Sequence, residues 1–92
     1  MFTHASLVRL KDPAIAETVA EIIRPLGALC TGVAKWEVGV NLLPNAEFHV
    51  CMLGVFVDDA AYAAYNENPA HHEVSAKVRP YIERAVPFDY VS

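Results

Sequence analysis

Few residues in this chain could do chemistry. There are four histidines, His4, His49, His71 and His72, and two cysteines, Cys30 and Cys51. Two of the histidines are adjacent, in the stretch "NENPAHHEV" from Asn66 to Val74, and Tyr65 stands just before it. An imidazole and a phenol brought together could move a proton and polarise a carbonyl without a cofactor.

Helical phase separates the two adjacent histidines. Asn68 reads as an N-cap and Pro69 as the first residue of a helix running to about Arg84. The apolar stripe of that helix is Val74, Val78, Tyr81 and Ile82. His71 precedes Val74 by one turn and Val78 by two, so it lies on the stripe and faces inward. His72 is about 100° further round, with Ala76, Arg79 and Glu83, toward solvent. In the first turn, the positive end of the helix dipole and partial burial both disfavour an imidazolium. A neutral imidazole is what a general base requires. The competing reading is that His71 merely caps its own helix. For Tyr65 the competing reading is a core tyrosine with its hydroxyl at the edge.

His4 and Ser6 share one side of the first strand with Val8. If that side faces the helices, they enter an otherwise apolar space with Phe48, Met52, Val74, Val78 and Ile82. Dry burial of unpaired polar groups would cost a few kcal/mol each, so these residues are expected to line a cavity. A hydrogen-bonded structural histidine is the alternative for His4. His49 and Cys51 are two apart on one strand and would share a face, half of a metal site at most, with no third or fourth ligand in the sequence. No metal is expected. There is no Gly-rich phosphate loop, Ser-His-Asp signature or haem or flavin motif, so no cofactor is expected.

These side chains need elements to hold them. Ninety-two residues make one domain, 1–92, whose own core is modest. Yet 54% of the residues are hydrophobic, which calls for apolar surface covered by a second copy. The net charge is −4 and no Lys/Arg cluster exists, so neither nucleic acid nor an anionic membrane is an expected partner. No apolar run approaches membrane-spanning length. Two cysteines without a signal peptide read as reduced thiols in a cytoplasm.

Phe2 to Leu10 reads as a strand. Asp12-Pro13 starts a helix with its stripe at Ile15, Val19, Ile22, Ile23 and Leu26, ended by Gly27. Ala34 to Asn41 alternates as a second strand, and Phe48 to Val57 is a third. Asp58 caps a short helix to about Tyr65. Pro80 should kink the helix that follows, and "AVPFDYV" is the last strand. The order β-α-β-β-α-β predicts a four-stranded antiparallel sheet with both helices on one face. The third strand is apolar on both sides: Phe48, Val50, Met52 and Phe56 one way, Cys51, Leu53, Val55 and Val57 the other. The helices cover one side only, so the other is expected to pack against the sheet of a second copy.

The pieces "THASLVRLK", "EVGVN", "FHVCMLGVFVD", "AYNENPAH" and "PFDYV", in this order along essentially the whole chain, resemble the stress-responsive A/B barrel domain family (Dabb) of the dimeric α+β barrel superfamily. The Tyr-x-x-x-Pro-Ala-His run is the most specific of them. The family commonly has His-Pro-Ala-His there, and this chain has Asn68 in place of the first histidine. The resemblance implies a ferredoxin-like protomer whose sheet closes a barrel with that of a second copy. Some members look like cofactor-free catalysts, including a plant branch that cyclises polyketides by aldol chemistry. Their tyrosine, last histidine and first-strand histidine map onto Tyr65, His71 and His4.

The expected function is therefore a homodimeric barrel that binds a small, largely apolar carbonyl compound between helices and sheet. Two alternatives stay open. One is cofactor-free cyclase-, lyase- or isomerase-type catalysis, with His71 as base and Tyr65 and His4 orienting the carbonyl. The other is a non-catalytic, stress-related binding or structural dimer module.

Overall fold

A computed structural model describes residues 1–92. Strand β1 (Phe2–Leu10) is followed by a 3₁₀ turn at Pro13–Ile15, helix α1 (Ala16–Ile23), a 3₁₀ segment at Arg24–Leu29 and strand β2 (Val33–Val40). Strand β3 (Val50–Phe56), helices α2 (Asp59–Glu67) and α3 (Pro69–Val78), a 3₁₀ turn at Arg79–Tyr81 and strand β4 (Ile82–Val91) complete it. The sheet order is β2-β3-β1-β4, with every pair antiparallel.

The starts of the helical elements follow the capping residues. The carboxylate of Asp12 accepts from the Ala14 N–H and that of Asp58 from the Ala61 N–H. The side-chain carbonyl of Asn68 accepts from the Ala70 N–H at 2.8 Å, with Pro69 occupying a first-turn position that needs no donor.

The ends differ from expectation. Pro25 lacks an N–H, so α1 ends at Ile23 and the chain tightens into 3₁₀ geometry through Leu29 instead of stopping at Gly27. Gly27 has another duty: a Cβ there would lie 2.3 Å from Cγ of Trp36. Likewise α3 ends at Val78, not Arg84. Pro80 terminates the helix rather than kinking it, and the residues from Ile82 onward pair with β1. Tyr81 is consequently exposed and is not part of an inward stripe, while Ile82 reaches the interior from a strand.

Two apolar clusters lie between sheet and helices. One joins Val8, Leu10, Val50 and Met52 of the sheet to Ala16, Val19, Ala20 and Ile23 of α1 and to Val78. The other is Leu26, Phe56 and Tyr65, with Trp36 packed against both. Complete burial of Phe56 is worth about 2–3 kcal/mol. Trp36 also occupies the space left by Gly54, where a Cβ would meet its Cζ3 at 3.0 Å. The missing side chain of Gly54 therefore makes room for an indole.

The opposite face of the sheet is bare. Across it run the rows Val55–Thr3–Tyr90, Leu53–Ala5–Phe88 and Cys51–Leu7–Val86. Phe88 is 65% exposed, Tyr90 47%, Val86 38% and Leu7 37%, an apolar surface that the protomer leaves largely uncovered, with Thr3 alone of the three rows buried.

One facing assignment is reversed. β3 begins at Val50, not Phe48, so the strand's alternation does not extend to Phe48 and His49. Phe48 lies on the bare face, with the Arg84 guanidinium 5.1 Å above its ring, and not with Val50 and Met52. His49 turns toward Pro13 and Ala16, while Cys51 stays on the bare face beside Leu7. The two do not share a face. His49 instead accepts a hydrogen bond at Nδ1 from the Leu10 N–H, 3.0 Å away, next to the irregularity in the β1–β4 pairing. Cys30 and Cys51 are free thiols, and burial pushes both above the usual thiol range, with Glu37 adding to the effect at Cys51.

Candidate functional site

A cavity of about 200 Å³ lies between the sheet and α3. β1 supplies His4, Ser6 and Val8 from alternate positions, and β3 supplies Met52. Tyr65 enters from α2, and His71, Val74 and Val78 from α3; Ile82 closes the far end from β4. Every residue expected to line a pocket is on this wall except Phe48. Ile23 and Leu26, from the stripe of the first helical region, join them together with Ser75 and Ala85.

Tyr65, His4 and His71 lie close together. The Tyr65 and His71 ring centroids are 4.5 Å apart, tilted by 52°. The break between α2 and α3 makes this possible. Asn68 is extended at φ −65°, ψ 131°, so α3 folds back and sets its first turn against the last turn of α2. His72 faces solvent.

His71 does not cap its helix; Asn68 does. Its Nδ1 is buried without a hydrogen-bond partner. Burial, more than anything else, holds the imidazole below its ordinary range. The Asn66 backbone acts the other way, and His72 and His4 add to the lowering. His71 is therefore neutral at pH 7. Tyr65 is 2% exposed, and burial, assisted by Cys30 and Tyr62, pushes its phenol far above the usual value. It is a neutral hydroxyl, able to donate to a carbonyl oxygen and unable to serve as a phenolate.

His4 has a partner that the sequence did not disclose. Its Nδ1 is hydrogen-bonded to Oδ1 of Asp89, the residue facing it on β4. The Tyr62 hydroxyl is 3.3 Å from the same nitrogen, and the Tyr62 ring stacks on Phe2 at 4.5 Å. With Nδ1–H committed to the carboxylate, the neutral ring keeps its lone pair on Nε2. The His4 and Tyr65 centroids are 6.5 Å apart. His4, Tyr65 and His71 thus form an arc with the phenol in the middle. Asp89 and Tyr62 were missed because nothing local marks them: one sits in an exposed terminal strand and the other resembles any helix aromatic.

An antiparallel sheet of order β2-β3-β1-β4, with all helices on one face and a cavity beneath them, defines a ferredoxin-like α+β protein. The chain belongs to the family described as the Stress responsive A/B Barrel Domain (Dabb), whose profile matches residues 2–92. It is similar to the structure of a Dabb family protein with a ferredoxin-like fold from Mesorhizobium loti. That match has 24% identity and a TM-score of 0.83, over 99% of this chain and 95% of the other. A dimeric protein of unknown function from Bacteroides fragilis matches at 21% identity and TM-score 0.86, over 99% and 95% of the two chains. A hydroxynitrile lyase from Passiflora edulis matches at 18% identity and TM-score 0.81, over 99% and 92%. These likenesses show the fold. No curated protein matches the chain.

Proposed function

We infer that the protein binds a small, largely apolar carbonyl compound in this cavity and moves a proton on it without a cofactor. The observation that carries the reading is the contact of a neutral, half-buried His71 with a neutral Tyr65 on the wall of an open cavity. His71 takes the proton next to the carbonyl carbon. Tyr65 donates to the carbonyl oxygen as it becomes an enolate, and His4, held by Asp89, orients the same group. A buried phenol that cannot ionise is a dependable donor at every working pH. That a hydroxynitrile lyase shares the fold supports chemistry on a carbonyl-derived compound.

The second copy expected from the bare sheet face completes the assembly: we infer a homodimer closed sheet against sheet. The apolar rows through Leu53 and Phe88, and the dimeric state of related structures, support it.

The test needs no knowledge of the natural substrate. Medium-chain methyl ketones in D₂O should exchange the protons next to the carbonyl faster with the protein than with buffer, read by proton NMR. His71→Ala should remove the acceleration, and Tyr65→Phe should lower it by roughly 10²-fold. A ketone that binds without exchanging would instead establish a non-catalytic binding module, a reading favoured by the predominantly hydrophobic lining of the cavity.

A further inference from the structure

The chain has seven lysines and arginines in a formal net charge of −4. Five of them are ion-paired: Arg9 with Glu83, Arg24 with Glu17, Lys35 with Glu37, Lys77 with Glu73 and Arg84 with Glu47. Lys11 and Arg79 are the two without a carboxylate partner. They belong to the same end of the molecule, where the Lys11 backbone N–H donates to the Tyr81 carbonyl at 2.9 Å.

Arg79 lines a second hollow of about 290 Å³ with Ser75, Val78 and Ile82. Those three residues also line the cavity that holds His71 and Tyr65. The two spaces adjoin across one set of side chains. As the C-cap of α3, Arg79 places a cation at the negative end of the helix dipole. That placement uses its charge but not its forked donors, which match a carboxylate in geometry. His71 and Arg79 are eight residues apart, roughly 12 Å along the helix; Arg79 lies about 80° further round, on the exposed side with His72, and meets the hollow from its rim. A medium-length alkyl chain spans that distance, past Ser75 and Val78, which line both spaces.

We propose that the ligand of this cavity is a medium-chain oxo-carboxylate. Its carbonyl lies beside His71 and Tyr65, its alkyl chain passes Ser75 and Val78, and its carboxylate meets Arg79 in the adjoining hollow. The proposal rests on the carbonyl-binding reading above and adds to it a charge and a length.

The experiment titrates the full chain with two probes: oxodecanoate with its ketone at the penultimate carbon, and the methyl ester of that acid. Trp36, the sole tryptophan, reports by fluorescence because its ring lies 5.8 Å from that of Tyr65. Isothermal calorimetry checks the affinities. At low ionic strength the acid should bind about fivefold more tightly than the ester. Arg79→Gln should abolish that preference and leave the affinity for the ester unchanged, and salt should erode it in the parent protein. Equal binding of acid and ester, a preference that survives Arg79→Gln, or equal weakening of both probes by that substitution overturns the carboxylate assignment. Ester binding in those cases still upholds the carbonyl cavity. Failure of both probes to bind overturns the cavity reading and the proposal together.

Discussion

The imidazole of His4 and the carboxylate of Asp89 are hydrogen-bonded across the β1–β4 pairing, joining residues eighty-five positions apart in the chain. The His4 side chain is largely buried and that of Asp89 is partly exposed, so the pair sits at the rim of the cavity. The carboxylate decides which ring nitrogen carries the proton, and so what His4 presents to a ligand.

Asp89→Asn should release that choice. The ¹⁵N shifts of His4 should move from one dominant tautomer toward a mixture, with a stability loss of about 1 kcal/mol because the contact is partly solvated. Unaltered His4 nitrogen shifts in the variant would mean that Asp89 does not set the tautomer.

His71 governs a pH dependence whose sign is fixed by its burial. Its proton is held less readily in the folded chain than in the unfolded one. Between the lowered folded value and about 6.5, the unfolded chain binds more protons. The associated stability is fully present above about pH 6.5 and is lost as pH falls through the folded value. His71→Gln should flatten this part of the profile, measured as urea midpoints at about pH 7.5 and pH 5.5. The same slope in parent and variant would contradict the assignment. For catalysis, the acid limb should likewise lie below about pH 6.5.

Gly27→Ala should be costly although alanine favours helical backbone. The new methyl would lie 2.3 Å from Cγ and 2.6 Å from Cβ of Trp36. Overpacking of this kind costs about 1–3 kcal/mol, or roughly 4–20 °C in Tm for a chain of this size. Since Trp36 touches Tyr65, its emission should also shift. A thermal melt that matches the parent would show that the indole moves aside freely.

Phe88→Lys tests the bare sheet face. The side chain is 65% exposed in the protomer and sits in the row Leu53–Ala5–Phe88. A lysine there would desolvate a charge at a sheet-to-sheet interface. Light scattering at micromolar concentration should show a dimer for the parent chain and a monomer for the variant. A monomeric parent would end the dimer proposal.

Much of the architecture was legible because it is local. Asp12-Pro13, Asp58 and Asn68-Pro69 announce helical starts through side chains that cap backbone donors one turn away. The choice of His71 over His72 needed only the helical repeat, anchored at Asn68. The doubly apolar β3 revealed that both faces of the sheet need cover. The failures lie where an element's end depends on a distant partner. Pro80 ends α3 at Val78 instead of kinking it because β1 takes Ile82 onward into the sheet. Phe48 and His49 face opposite to expectation because β3 pairing starts at Val50.

By itself, then, the sequence determined the order of elements, the caps that start the helices, the inward phase of His71 and the apolar character of both sheet faces. These are properties of neighbours within a turn or an alternation. Only the tertiary structure decided that Asp89 grips His4, that Trp36 fills the gap at Gly54, and that a hollow lined by an unpaired Arg79 adjoins the cavity. Each depends on strand register and on how elements cross, and those follow from the packing of the whole core.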